Sequence, residues 1–126
     1  MKVISEPPYL IIEVTSVSRA KTIVLTGEAD LQGAPEIEAA LQDASAGEPG
    51  LIVIDLRNLT FIDSSCLHAL VRGHELCRAY GHELSVIPGP ANIQRLFELT
   101  GMDEILPFCD AEPSLESSSG DSGSGA

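Results

Sequence analysis

Basic residues are scarce in this sequence: seven Lys and Arg stand against nineteen Asp and Glu, for a net charge of −12. Gripping a phosphate backbone takes clustered Lys and Arg, so no nucleic acid partner is expected. A complementary basic protein surface fits better, with charge aiding encounter more than affinity. No apolar run approaches the ~18 residues needed to span a bilayer, so no membrane partner is expected either. Pro7 and Pro8 interrupt the N-terminal stretch, and its short apolar run does not read as a signal peptide. Cysteine is sparse too. Cys66, Cys77 and Cys109 form neither an even framework nor a CxxC pair, so reduced thiols in the cytoplasm are the expectation. Gly73, Gly81, Gly89 and Gly101 fall singly, so there is no glycine-rich phosphate cradle and no cofactor is expected.

What remains is enough for one folded domain. The chain has 126 residues, 44% of them hydrophobic, which suffices for a real core. Residues 110–126 read as a disordered acidic Ser/Gly-rich tail containing Asp110, Glu112, Glu116 and Asp121. Residues 1–8 read as an N-terminal extension and 9–109 as the domain.

Within it the periodicity alternates. Residues 10–14 and 22–25 are β-branched and apolar, reading as two strands joined through the polar run 15–21. Pro35 opens a helix with Ile37, Ala40, Leu41 and Ala44 at helical spacing, ending near Gly47. LIVIDL, at 51–56, is the continuous apolar run of a strand covered on both faces. After the connector RNLTF comes the longest helix, 64–80, ended by Gly81. Residues 83–87 form a strand, Pro90 starts a helix ended by Gly101, and 105–108 form a last short strand. The order β-β-α-β-α-β-α-β implies an α/β fold with a central mixed, mostly parallel sheet and helices packed on it.

The stretch FIDSSCLHAL, at 61–70, sits where the buried strand leads into the long helix. In open α/β sheets the strand carboxyl ends, with helix N-termini beside them, form the usual functional edge. Asp63 or Ser64 can cap the helix, and Asp-Ser-Ser ahead of an apolar helix is also ordinary capping chemistry. Ser65 then lies in the first turn, where free N–H groups and the helix dipole favour an anion. A phosphate there would be tolerated and would add roughly −1.5 to −2 charges to one surface spot.

Three landmarks stand in order: TGEAD at 26–30, LIVIDLRNLTFIDSSCL at 51–67, and ANIQRLFELTGMDEIL at 91–106. Together they resemble the STAS domain, specifically the small stand-alone bacterial anti-sigma factor antagonists, over nearly all of 9–108. The resemblance implies a non-enzymatic protein that binds an anti-sigma factor with serine kinase activity and releases the sigma factor. The kinase uses its own ATP and magnesium to phosphorylate a loop serine, which ends the binding, and a phosphatase would reverse it. By motif position the acceptor is Ser65, with Ser64 the weaker candidate. Asp30 and Asp63 match the loop aspartates that help present it. Partner contacts fall to Ser64, Ser65, Cys66, Leu67 and His68. One position departs from the pattern: Cys66 stands where the family has glycine. Glycine lets a partner's backbone approach closely, whereas cysteine adds a side chain at that spot.

Cys66 shares the helix N-terminus with Ser65, where a thiolate is stabilised, so its pKa should fall and redox sensing is an option. Cys66 and Cys77 are ~16 Å apart along the helix, so an intrachain disulfide must involve Cys109. Against this, Cys77 and Cys109 are ordinary small apolar packing residues. His74 continues the stripe of Leu67, Leu70 and Val71 and should be partly buried. His68 lies one turn beyond Ser65, within reach of mimicking a nucleophile–base pair. Yet no acidic third member or hydrolase-type glycine elbow accompanies it, and no metal-ligand spacing occurs among the histidines, His82 included. The competing role is a STAS scaffold subunit of a larger complex, such as a membrane transport assembly, with Ser65 an interface residue that is never phosphorylated.

Overall fold

Apolar side chains on strands need a second layer to cover them, and here helices supply it. The computed structural model describes residues 9–109 and the backbone of 2–4. The strands are β1 (Lys2–Ile4), β2 (Leu10–Val17), β3 (Ala20–Ala29), β4 (Leu51–Ile62) and β5 (Glu83–Ile87). The helices are α1 (Ala34–Ser45), α2 (Ser64–Ala79) and α3 (Ala91–Thr100). The acidic tail at 110–126, and residues 1 and 5–8 of the extension, lie outside the described residues.

The strands lie in one sheet in the order β1-β2-β3-β4-β5. The β1–β2 and β2–β3 pairings are antiparallel, and β3–β4 and β4–β5 are parallel. The sheet is therefore mixed as expected, with parallel pairing at half of its interfaces. Residues 2–4, read from sequence as mere extension, pair with β2 as an edge strand. The polar run 15–21 is no connector: β2 and β3 continue through it to a two-residue turn at Ser18 and Arg19, with Ser18 at φ 55°. The last expected strand, 105–108, shrinks to one bridge between Val86 and Phe108, because the Ile105 and Leu106 N–H groups turn back to the Met102 carbonyl.

Both parallel steps cross over through a helix, β3 to β4 through α1 and β4 to β5 through α2. Right-handed crossovers stepping in one direction along a sheet put both helices on the same face. There α1 meets α2 closely, because Gly73 has no side chain and a Cβ on it would lie 2.2 Å from Leu41 Cδ1. Leu10, Ile12, Ile23, Leu25, Ile52, Ile54 and Leu56 supply the sheet side of the core, with Ile37, Leu41, Leu67, Leu70, Ile93 and Phe97 opposite.

The largest departure concerns RNLTF. These residues are not a connector: β4 runs unbroken from Leu51 to Ile62. Two register shifts against β3, between Val24 and Thr26 and between Gly27 and Glu28, insert bulges. Bulges break strand alternation, so burial beyond Leu56 falls at Leu59 and Ile62, which no strand template predicts. At the second bulge Gly27 has φ 101°, and a Cβ there would lie 2.1 Å from the Tyr9 carbonyl oxygen. Only glycine fits. The bulges carry β3 and β4 forward to end side by side, at Ala29 and Ile62.

Candidate functional site

Two aspartates follow those paired strand ends. Asp30 leaves β3 and caps the 3₁₀ turn Leu31–Gly33, its Oδ1 accepting from the Gln32 N–H at 3.1 Å. Asp63 leaves β4 and caps α2, its Oδ1 accepting from the Cys66 N–H at 3.2 Å. The Asp63 N–H donates to the Ala29 carbonyl at 3.0 Å, so the α2 cap is tied to the end of β3. Asp63, not Ser64, is thus the cap.

Ser65 sits half-buried in the first turn of α2. Its hydroxyl donates to the same Asp63 Oδ1 at 2.6 Å. One carboxylate oxygen therefore holds both the helix start and the hydroxyl. Sequence spacing missed this pairing because Asp63 and Ser65 are two apart, and only the extended backbone of the cap, φ −107° and ψ 176°, turns one toward the other. His68 is exposed, and the Ser65 hydroxyl is spent on Asp63, so the serine–histidine pair weighed from spacing does not form.

The expected surface is only partly a surface. Ser64 and His68 are exposed and Ser65 half-exposed, but Cys66 (0%) and Leu67 (2%) are buried in the core. A side chain two positions before or after an exposed one on a helix faces away from it. So Cys66 adds nothing to what an approaching partner meets. Its thiol donates inward to the Asp30 carbonyl, with Sγ 3.2 Å from the oxygen.

The anticipated drop in the Cys66 pKa is overturned. Burial, the Asp63 carboxylate and, more weakly, Asp30 push the thiol up to about 12, against relief from the Ser65 hydroxyl. The helix dipole loses to desolvation and two adjacent negative charges. Cys77 is buried and raised by burial as well, while Cys109 is half-buried; all three are free thiols. Neither Cys66 nor Cys77 is thus the exposed, acidic thiol that redox sensing requires. His74 is half-buried as its stripe implied, its pKa lowered by burial and by the Arg78 charge against a smaller opposing effect of Glu75. His82 is buried, with Nε2 2.9 Å from the Ser45 carbonyl at the end of α1. Among the described residues no three His, Cys, Asp or Glu side chains converge as a metal site. No described helix is long and apolar enough to cross a membrane.

Around the serines stand two large exposed apolar side chains, Leu31 (68%) and Phe61 (46%). Leu31 directly follows Asp30, and Phe61 stands two residues before Asp63 near the end of β4, so both border the edge that carries Ser65. Asn92, opening α3, donates to the Thr60 carbonyl at 3.3 Å and brings that helix start to the same edge. Sequence inspection passed over these residues, and also over Asp55, which is buried on β4. Its carboxylate accepts from the Arg57 N–H, Nε and Nη2 at 3.0, 3.1 and 2.8 Å. The D-x-R spacing, two residues on one strand face, was the available signal.

Comparison with known proteins places this arrangement. The family model described as "Mlab, STAS domain" matches residues 12–107. The chain is 30% identical over 90 residues to the anti-sigma-B factor antagonist of Listeria monocytogenes, covering 71% of this chain and 79% of that one. An anti-sigma factor antagonist from Mycobacterium paratuberculosis has the same fold, with a TM-score of 0.73, 26% identity, and coverage of 90% of this chain and 93% of its own. So does the Bacillus cell fate determinant SpoIIAA, solved in its phosphorylated form, at TM-score 0.61, 20% identity, and coverage of 78% and 90%. The paired strand ends, the aspartate-capped helix and these likenesses agree: the chain belongs to the STAS domain family, among the anti-sigma factor antagonists.

Proposed function

We propose that this protein is a cytoplasmic, non-enzymatic switch. It docks on an anti-sigma factor with serine kinase activity, and phosphorylation of Ser65 ends that docking. One observation carries the proposal: a half-exposed serine hydroxyl in the first turn of α2 is held at 2.6 Å by the helix-capping carboxylate. Leu31 and Phe61 border that edge with apolar surface suited to a partner, while Ser64 and His68 supply polar contacts. Ser64 is the weaker acceptor candidate, because Asp63 orients the hydroxyl of Ser65.

The chemistry follows from that bond. In the unmodified protein the hydroxyl is neutral and donates to Asp63. Transfer from the kinase's ATP would form an Oγ–P bond and release ADP, and the hydroxyl proton would be lost. The donor then disappears, and a group of about −1.5 to −2 charges stands beside the Asp63 carboxylate. Two like charges about 4 Å apart repel by roughly 4 kcal/mol at the effective dielectric of a protein surface. Asp63 and the phosphate must therefore separate, and an apolar docking edge becomes a strongly anionic one. A phosphatase would restore the first state. SpoIIAA, of the same fold, exists in a phosphorylated form.

The test is transfer of labelled phosphate from a purified kinase-type anti-sigma factor of the source genome to the wild-type chain and to Ser65→Ala. Label on wild type alone supports the switch. Label surviving Ser65→Ala moves the acceptor to Ser64. No label on wild type, with co-purification of a transporter ATPase, favours the scaffold role instead.

A further inference from the structure

Cys66 occupies the position where the family pattern has glycine, and its side chain points into the protein rather than toward a partner. It is fully buried, yet it is not merely filling space. Its thiol donates to the carbonyl of Asp30, with Sγ 3.2 Å from an oxygen that also accepts from the Gly33 N–H at 2.9 Å. Its own N–H donates to Asp63 Oδ1 at 3.2 Å, the oxygen that holds the Ser65 hydroxyl at 2.6 Å. Cys66 thus bonds through its side chain to the residue leaving β3 and through its backbone to the residue leaving β4. A glycine makes the second bond and cannot make the first.

We propose that Cys66 is a positioning residue for Ser65: its thiol pins the first turn of α2 to the backbone of the Asp30 loop, holding the Asp63–Ser65 pair in one geometry. The pin deepens the switch role proposed above and matters to a partner only if that role holds. It lets this chain present Ser65 from a more rigid edge than a glycine at position 66 would allow. The donor is dependable near neutral pH, because burial and the Asp63 carboxylate push the thiol up to about 12 and keep its proton on. The Asp30 carbonyl keeps its Gly33 partner if the thiol is removed, so removal loosens the joint without orphaning a buried acceptor.

The pin is tested on the free, full-length chain by backbone amide hydrogen exchange, with the Ser65 Cβ chemical shift as a second readout. Four proteins are compared: wild type, Cys66→Ala, Cys66→Gly and Cys66→Ser. Cys66→Ala should speed exchange at the amides of residues 66 and 67 by roughly two- to tenfold, the effect of losing one internal hydrogen bond. It should also move the Ser65 Cβ shift, while exchange in β5 stays as in wild type. Cys66→Gly should loosen these amides at least as much, adding backbone freedom to the lost bond. Cys66→Ser, which keeps a donor, should restore wild-type exchange and the wild-type shift. If Cys66→Ala exchanges like wild type at both amides, or Cys66→Ser is as loose as Cys66→Ala, the pin is overturned. Should Cys66→Gly fail to fold, the alanine and serine variants still decide. No partner enters this experiment, so its failure is separate from failure of phosphate transfer to Ser65.

Discussion

Replacing Asp63 with alanine removes the acceptor on which the site is built, and the cost can be worked out bond by bond. The carboxylate caps α2 through the Cys66 N–H at 3.2 Å, and loss of such a cap costs about 1 kcal/mol. It also receives the Ser65 hydroxyl at 2.6 Å. A hydrogen bond to a charged group contributes about 1.5–3 kcal/mol, but Ser65 is half-exposed and water replaces much of it, leaving about 1 kcal/mol. The Asp63 N–H bond to Ala29 belongs to the backbone and survives the substitution. Asp63→Ala should therefore lower unfolding free energy by about 2 kcal/mol, which for a domain of this size shifts Tm by about 8–16 °C. Urea unfolding followed by circular dichroism measures it, with the denaturant slope unchanged because the surface exposed on unfolding is the same. Asp63→Asn keeps an acceptor oxygen and should lose about 0.5 kcal/mol. If Asp63→Ala unfolds within about 0.3 kcal/mol of wild type, the carboxylate neither caps the helix nor holds the serine, and the site has been misread.

Three further outcomes are expected. Burial alone would raise the Asp55 pKa, but the hydrogen bonds and charge of Arg57 outweigh it and lower the value below the ordinary 3.8. A depressed folded-state pKa contributes stability that is present above pH 3.8 and lost as pH falls through the lower folded value. The stability gap between wild type and Asp55→Asn in urea titrations should thus narrow only below about pH 4; a gap that is flat across that window refutes the ion pair. Thiol labelling with a disulfide reagent near neutral pH should modify Cys109 first, with Cys66 and Cys77 reacting only as the protein opens; prompt native-state labelling of Cys66 contradicts its burial. Gly73→Val forces a side chain into Leu41 at the α1–α2 contact and should destabilise by about 1–3 kcal/mol in the same urea assay, whereas no loss would mean that the helices do not pack there.

Some of this molecule was legible in the order of its residues. LIVIDL announced a buried strand because strands covered on both faces have no polar side. The helix after it showed its start to within one residue, at Asp63 or Ser64, and its end through Gly81, since capping and left-handed turns are local chemistry. Ser65 could be singled out because its position in the first turn depends only on where that helix begins. The resemblance of the landmarks TGEAD and FIDSSCL carried the family, and the folded chain agrees with it.

Other features depend on contacts between residues far apart in sequence, and only folding decided them. RNLTF looked like a connector because its two bulges exist only in register with β3, which no local pattern encodes. Cys66 looked acidic and reactive from its place at a helix N-terminus, a local feature. The sheet then buried it against the Asp30 carbonyl, thirty-six residues away in the chain, and burial beside two carboxylates reversed the sign. Local sequence thus determined where elements begin and which hydroxyl lies at the helix mouth, because caps and periodicity act within a few residues. Tertiary structure decided which side chains face solvent and which face the core, because burial and electrostatics are set by whatever the rest of the chain packs around them.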